Sequence, residues 1–167
     1  MRSMMLTIGL ATELLILITV ANGAPVIVAR LLGSRGAWQV DGGLTLGDGR
    51  PLFGRSKTLR GLASAVAATT VVAVAFGHPW QIGALFGAGA MFGDLFSSFV
   101  KRRRSIPPSG QATGLDQIPE ALLPLLVCYG YFGLDPLSVV VVVALFTAAT
   151  LVASPVMYWL GIRKRPY

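Results

Sequence analysis

Asp94, Ser97, Ser98 and Lys101 recur at intervals of three, four and seven residues inside one apolar run. On a helix that spacing puts all four on one face. A carboxylate, two hydroxyls and an ammonium would then point into one shallow, inward-facing pocket. An ionised carboxylate in such a run costs at least about 2.5–3.5 kcal/mol on insertion scales, so it normally faces a bundle interior and marks a site. Asp94 stands about six residues, or about 9 Å of helix, from the end of its run. The plainer alternative is a neutralised Asp94–Lys101 pair with a structural role. Glu13 also falls inside an apolar run, without a comparable constellation, and is read as protonated or hydrogen-bonded within the bundle.

Two polar segments add charge of the right kind. The first holds Asp41-Gly42-Gly43 and then DGRPLFGRSKTLRG from Asp48 to Gly61. Glycine-rich backbone beside Lys57 and Arg60 suits phosphate, because exposed amides and cations converge, and the start of the following helix adds its positive end. The spacing matches neither a phosphate loop nor a dinucleotide fingerprint. The second segment opens with the basic run Lys101 to Arg104 and closes with Leu115-Asp116-Gln117. Taken singly, that basic run is a membrane-orientation signal and Asp116 a helix cap. Cys128, the one cysteine, lies in an apolar run and reads as a small buried hydrophobe. It excludes a disulfide framework and a cysteine metal site. His78, beside Pro79 and Trp80, reads as an interfacial residue rather than a catalyst.

The elements that must position these residues are apolar helices. The chain has 167 residues, 54% hydrophobic and 13% charged, with mean hydropathy +0.69. Soluble domains carry about 25% charged residues, so lipid is the main solvent here. Five stretches approach the length of about 20 residues that crosses a bilayer. They run from Met4 to Leu32, Leu59 to Phe76, Ile82 to Val100, Ile118 to Phe132 and Leu137 to Ile162. Arg2 before the first run resembles a signal peptide, but the apolar pattern resumes at Val26, and the segment is expected to stay. With the N-terminus outside, five spans place 13 of the 14 Lys and Arg residues on the cytoplasmic side, including Arg163 to Arg165. The expectation is an all-α membrane bundle of about five transmembrane helices over residues 1–167, a single domain in the plasma membrane with a cytoplasmic site and C-terminus. Asn22-Gly23-Ala24-Pro25 predicts a break in the first helix, since proline removes a donor and clashes with the preceding turn. Broken helices in membranes line cavities, which puts Asn22 near the site.

The strings NGAPV, DGRPLFGRSKTLRG, GDLFSSFVKRRR and LDQ, in this order, resemble the CDP-archaeol synthase family, a small-membrane-protein branch of the phosphatidate cytidylyltransferase superfamily. The resemblance runs from about Asn22 to Leu126. It implies five spans with an outside N-terminus, and magnesium-dependent transfer of a cytidylyl group from CTP to a lipid phosphate, releasing pyrophosphate. On that chemistry Asp94 and Asp116 are the metal candidates and, with Lys101, the catalytic ones. Asn22, Lys57, Arg60, Ser98, Lys101 and Arg102 are the substrate contacts, while Arg103 and Arg104 suit anionic headgroups. Family members often place a further aspartate two positions after DQ; here Pro119 stands there, followed by Glu120. Either Glu120 substitutes, or the second carboxylate is dispensable.

The rivals fit less well. A small transporter would bury a carboxylate but needs a polar path to the outer face, and the links Gly77 to Gln81 and Gly133 to Pro136 are short. A scaffold does not need Asp94 in a span. A CDP-alcohol phosphotransferase carries several aspartates after its DG motif, which Asp48-Gly49 lacks. Nucleic acid is not an expected partner; homodimerisation is left open.

Overall fold

The computed structural model describes residues 6–107, 110 and 112–159, the last six by backbone alone; the Arg163–Arg165 run and Arg2 lie outside the described residues. The described chain is helical: α1 (Ile8–Leu32), α2 (Leu59–Ala75), α3 (Trp80–Arg103), α4 (Gln117–Val127), α5 (Tyr129–Phe132) and α6 (Pro136–Trp159). Caps set three of the starts. Thr7 Oγ1 accepts from the Leu10 amide at 3.2 Å, Thr58 Oγ1 from the Gly61 amide at 3.3 Å, and Asp135 Oδ1 from the Ser138 amide at 2.8 Å. Each satisfies a donor that the first helical turn leaves orphaned.

Helix α3 is the central beam, and its glycines are the reason. A Cβ on Gly83 or Gly87 would fall 2.6 Å from the Thr70 Cα or 2.9 Å from the Val66 Cα of α2. A Cβ on Gly89 would fall 2.9 Å from the Pro124 Cα of α4, and one on Gly93 only 2.2 Å from the Pro119 carbonyl oxygen. Small residues thus let α2 and α4 press backbone to backbone against opposite sides of α3. Leu14, Leu17 and Ile18 of α1 join Phe86, Leu125 and Val142 in the core deeper in the bundle.

Helix α1 does not break at Asn22–Pro25; it runs through Pro25 to Leu32. The Asn22 side-chain amide donates to the Ile18 carbonyl at 3.1 Å, bracing the turn before the proline. The Pro25 ring packs toward Gly61 of α2, where even a methyl group would lie 3.5 Å from the proline Cβ. Neighbouring helices and side chains commonly make such prolines tolerable in membrane helices.

By length and apolar character α1, α3 and α6 can each cross a membrane, whereas α2 and α4 are shorter. At 17 residues α2 extends about 26 Å. The apolar run expected to form one helix from Ile118 to Phe132 is two, since the backbone leaves helical geometry at Cys128.

Candidate active site

The polar segment between α1 and α2 is a built loop. Asp41 organises it: one carboxylate oxygen accepts from the Gly43 amide at 3.0 Å, the other from the amides of Phe53 at 2.9 Å and Gly54 at 3.2 Å. Burial pushes the Asp41 carboxyl up, but the backbone donors of Phe53, Gly43 and Gly54 outweigh it and hold it below the usual carboxylate range. The loop is strapped to the end of α3 as well. Arg103 forks onto both Asp48 oxygens at 2.6 Å and onto the Pro51 carbonyl at 2.6 Å, and Arg50 returns a bond to the Arg103 carbonyl at 2.5 Å.

This strapping delivers Lys57 to α3. Its ammonium touches both Asp94 carboxylate oxygens at 2.6 Å. Lys101 instead pairs with Asp116 at 2.5 Å and donates to the Gly110 carbonyl at 3.3 Å. Of the four residues at the spacing 94, 97, 98, 101, only Asp94 lines the cavity it shares with Lys57. Seven residues carry Lys101 about 10.5 Å along the axis from Asp94, and each finds a nearer partner from another segment. Ser97 and Ser98 are buried, and Ser97 bonds back to the Gly93 carbonyl at 2.9 Å.

Glu120, one helical turn after Asp116, stands beside the Asp94 carboxyl in the same cavity. Bare carboxylates that close repel one another, and the Lys57 ammonium on Asp94 offsets part of that repulsion. Glu120 comes this near because Gly93 lets the Pro119–Glu120 backbone rest on α3. Asp94, Glu120 and Lys57 stand in a cavity of about 560 Å³, walled by Asn22 and Pro25 of α1, Met91 of α3, and the start of α2 at Thr58, Arg60 and Gly61.

Of the substrate contacts expected from sequence, the structure brings Asn22, Lys57 and Arg60 to this cavity beside Asp94. Arg60 is partly committed: its guanidinium donates to the Arg35 carbonyl and, at 2.6 Å, to the Gly33 carbonyl, capping the C-terminal end of α1. Ser98, Lys101, Arg102 and Asp116 are not among the cavity-lining residues. Arg102 is 5% exposed; Nη2 donates to the Pro107 carbonyl at 3.1 Å, and Nε and Nη1 are buried with no hydrogen-bond partner among the described residues. Among the described residues, no group of three or more His, Cys, Asp or Glu side chains could hold a metal ion.

The helix ends by α5 hold a second polar cluster. His78 Nε2 lies 3.4 Å from Glu13 Oε2, and Nδ1 lies 3.1 Å from the Tyr131 hydroxyl. Glu13 therefore has partners within the bundle, as its position in an apolar run requires.

This arrangement has relatives. A family model described as CDP-archaeol synthase matches residues 75–167. The CDP-archaeol synthase of Thermococcus onnurineus is 34% identical over 150 residues, covering 83% of this chain and 80% of the relative. That of Pyrobaculum calidifontis is 36% identical, covering 89% and 91%. The chain belongs to the CDP-archaeol synthase family. A solved structure of an intramembrane enzyme for archaeal membrane lipid biosynthesis superposes with a TM-score of 0.69 at 32% identity, covering 88% of this chain and 94% of that one. Within the CDP-archaeol synthase family, the departure at Pro119 acquires a structural sense. The carboxyl that meets Asp94 comes from Glu120, one residue later. Membership in the CDP-archaeol synthase family also disfavours the transporter and scaffold alternatives. From sequence alone Glu120 is one of two options, and Arg55 is one of the 13 cations that set the orientation. Two signals were available: the four-residue step from Asp116 to Glu120, which places both on one helix face, and the glycine directly before Asp94.

Proposed function

We propose that this protein transfers the cytidylyl group of CTP to the phosphate of an archaeal-type ether lipid, giving a CDP-lipid and pyrophosphate. The observation that carries the proposal is the Asp94–Glu120 carboxyl contact with the Lys57 ammonium, set in a cavity inside an apolar helical bundle. A lipid phosphate can bring its headgroup to such a cavity while its chains stay in the bilayer.

The nucleophile is a lipid phosphate oxygen. It forms a bond to the α-phosphorus of CTP as the bond from that phosphorus to the bridging oxygen breaks, and pyrophosphate departs with the electron pair. A phosphomonoester has a second pKa of about 6, so it attacks as an anion and needs no general base. The difficulty is bringing two polyanions together, which positioning and charge neutralisation solve. Lys57 presents an ammonium beside Asp94, so incoming phosphates meet a cation at that wall. The start of α2 lines the same cavity and adds the positive end of its dipole. Asn22 offers amide chemistry from α1.

Magnesium takes hard oxygen ligands, usually one or two carboxylates completed by substrate phosphates and water. Asp94 and Glu120 fit that demand, since their carboxyls meet at the cavity, and they would hold the ion. Bound there, it would supply further neutralisation of phosphate charge. Asp116 sits one turn away and orders the neighbouring loop through the Ala112 amide, which its carboxylate accepts at 2.9 Å.

In the membrane, α1, α2, α3, the α4–α5 pair and α6 make five passes, with the N-terminus outside. The loop bearing Lys57 and the end of α3 bearing Lys101 then face the cytoplasm. The strapping of Arg103 to Asp48 supports this, because it fixes both basic segments at one end of the bundle. A cysteine replacing Leu44, which is 54% exposed, should react with impermeant reagents only from the cytoplasmic side; Cys128, being buried, gives little background.

Purified protein in lipid vesicles with labelled CTP provides the decisive assay. Pyrophosphate and a CDP-lipid should form only when magnesium and an ether-lipid phosphate are both present. Mass spectrometry finding no cytidylylated lipid across a panel of ether, ester and prenyl phosphates would overturn the proposal.

A further inference from the structure

Three cationic side chains line the cavity, and two are already engaged. Lys57 is paired with Asp94, and Arg60 caps α1. The third, Arg55, is exposed and makes no ion pair or hydrogen bond among the described residues. Its position is nevertheless fixed from below. Gly54, buried and at φ +95°, begins a turn closed by the Lys57 amide donating to the Gly54 carbonyl at 3.1 Å. Asp41 grips the amides of Phe53 and Gly54 immediately before Arg55. The backbone that carries Arg55 is therefore tied down on both sides, while its guanidinium is free.

A guanidinium presents parallel donors that match two phosphate oxygens, and its planar fork loses little freedom per hydrogen bond formed. It shares the cavity with the start of α2, whose dipole also favours an anion. We infer that Arg55 is a phosphate-binding residue at the rim of the cavity, setting the affinity for one of the two phosphate-bearing substrates. The inference rests on the cytidylyltransfer proposed above. The group recognised is a phosphate, belonging either to the triphosphate of CTP or to the lipid phosphomonoester.

The test compares the full-length protein with R55Q and R55K in detergent micelles. Michaelis constants are measured separately for CTP and for the lipid phosphate, and calorimetry measures binding of CTP and of a short-chain lipid phosphate without turnover. R55Q should raise one of the two Michaelis constants roughly tenfold or more, the size expected for a lost charged hydrogen bond. It should leave kcat within about twofold and the melting temperature unchanged. R55K, which keeps charge without the fork, should fall between. A selective rise for CTP assigns Arg55 to the triphosphate, and one for the lipid assigns it to the headgroup. Unchanged constants for both substrates would overturn the inference. If the wild-type protein transfers no cytidylyl group, the proposed function fails by itself. Calorimetry then judges Arg55 alone: equal affinities of wild type and R55Q for both ligands, or no binding to either protein, would overturn it.

Discussion

Replacing Gly93 with alanine should separate the two carboxyls of the site without touching either. The added Cβ would stand 2.2 Å from the Pro119 carbonyl oxygen and 2.5 Å from its carbon. Non-bonded heavy atoms settle at about 3.5 Å, so α4 must retreat by about 1 Å at this point. The obstacle is backbone on both sides, and no side chain can rotate out of the way. Overpacking of this kind costs typically about 1–3 kcal/mol. The catalytic loss should be larger, because Glu120 follows Pro119 directly and moves with it, opening its contact with Asp94. A displacement of about 1 Å at a reacting centre can cost about a hundredfold in rate. The informative comparison is Gly89→Ala. It presses on the same helix one turn deeper, at 2.9 Å from the Pro124 Cα, and needs a smaller retreat. Both variants are compared by thermal unfolding in detergent and by initial rates of CDP-lipid formation. Gly93→Ala should lose about a hundredfold in kcat with a modest fall in melting temperature, and Gly89→Ala should keep much more of its activity. Wild-type kcat in Gly93→Ala would refute the claim that helix contact sets the carboxyl geometry.

Asp94→Asn and Glu120→Gln should each lower kcat at least roughly tenfold, since even changes in groups that only orient metal ligands reach this size; magnesium titrations should shift to higher concentration, and full activity in both would remove the carboxyl pair from the mechanism. The double variant Lys57→Met/Asp94→Leu should abolish turnover while leaving thermal stability unchanged or improved, because apolar replacement of a desolvated ion pair is often neutral or stabilising by about 1–4 kcal/mol; a marked fall in melting temperature would make the pair structural. Asp41 titrates lower in the folded protein than unfolded, so its contribution is fully present above the unfolded value of about 3.9 and is lost as pH falls through the lower folded value. Hydrogen exchange should show the Phe53 and Gly54 amides losing protection only as pH falls through that lower folded value, and Asp41→Asn should show weak protection at every pH tested.

The helical character and most element boundaries were legible because apolar runs and their punctuation are local. The packing of the α3 glycines has an equally local cause, residue size at helical spacing. Proline misled for a definable reason: its intrinsic effect on a helix is local, but Asn22 bracing Ile18 and Gly61 receiving the ring are compensations from the fold. The site was legible in its membership more than in its pairing. Asp94, Lys57, Asn22 and Arg60 were each suspect by type and place, yet Lys57 lies 37 residues from Asp94, and no helical periodicity links them. Periodicity instead offered Lys101, which shares a face with Asp94 but stands too far along the axis. Glu120 was hidden for the opposite reason: its one-residue offset from the family pattern matters little in space once Gly93 brings the helix start into contact.

The Lys57–Asp94 pair also distinguishes a working site from a structural clamp. Holding the first loop against the bundle requires no charge inside the cavity, because the loop has its own fastenings. Asp41 ties the turn, Arg103 and Arg50 strap the loop to the end of α3, and Arg60 joins the start of α2 to the end of α1. All of these act on carbonyls, amides or carboxylates that do not line the cavity. Lys57 and Asp94 are the exception, two largely covered ions at a cavity wall with a second carboxyl beside them. A pair so placed adds little to stability once its desolvation is counted. It does provide a preset arrangement of opposite charges that phosphates and a divalent ion can enter and divide between them. The fastenings around the loop keep that arrangement in place while the charges within it are exchanged.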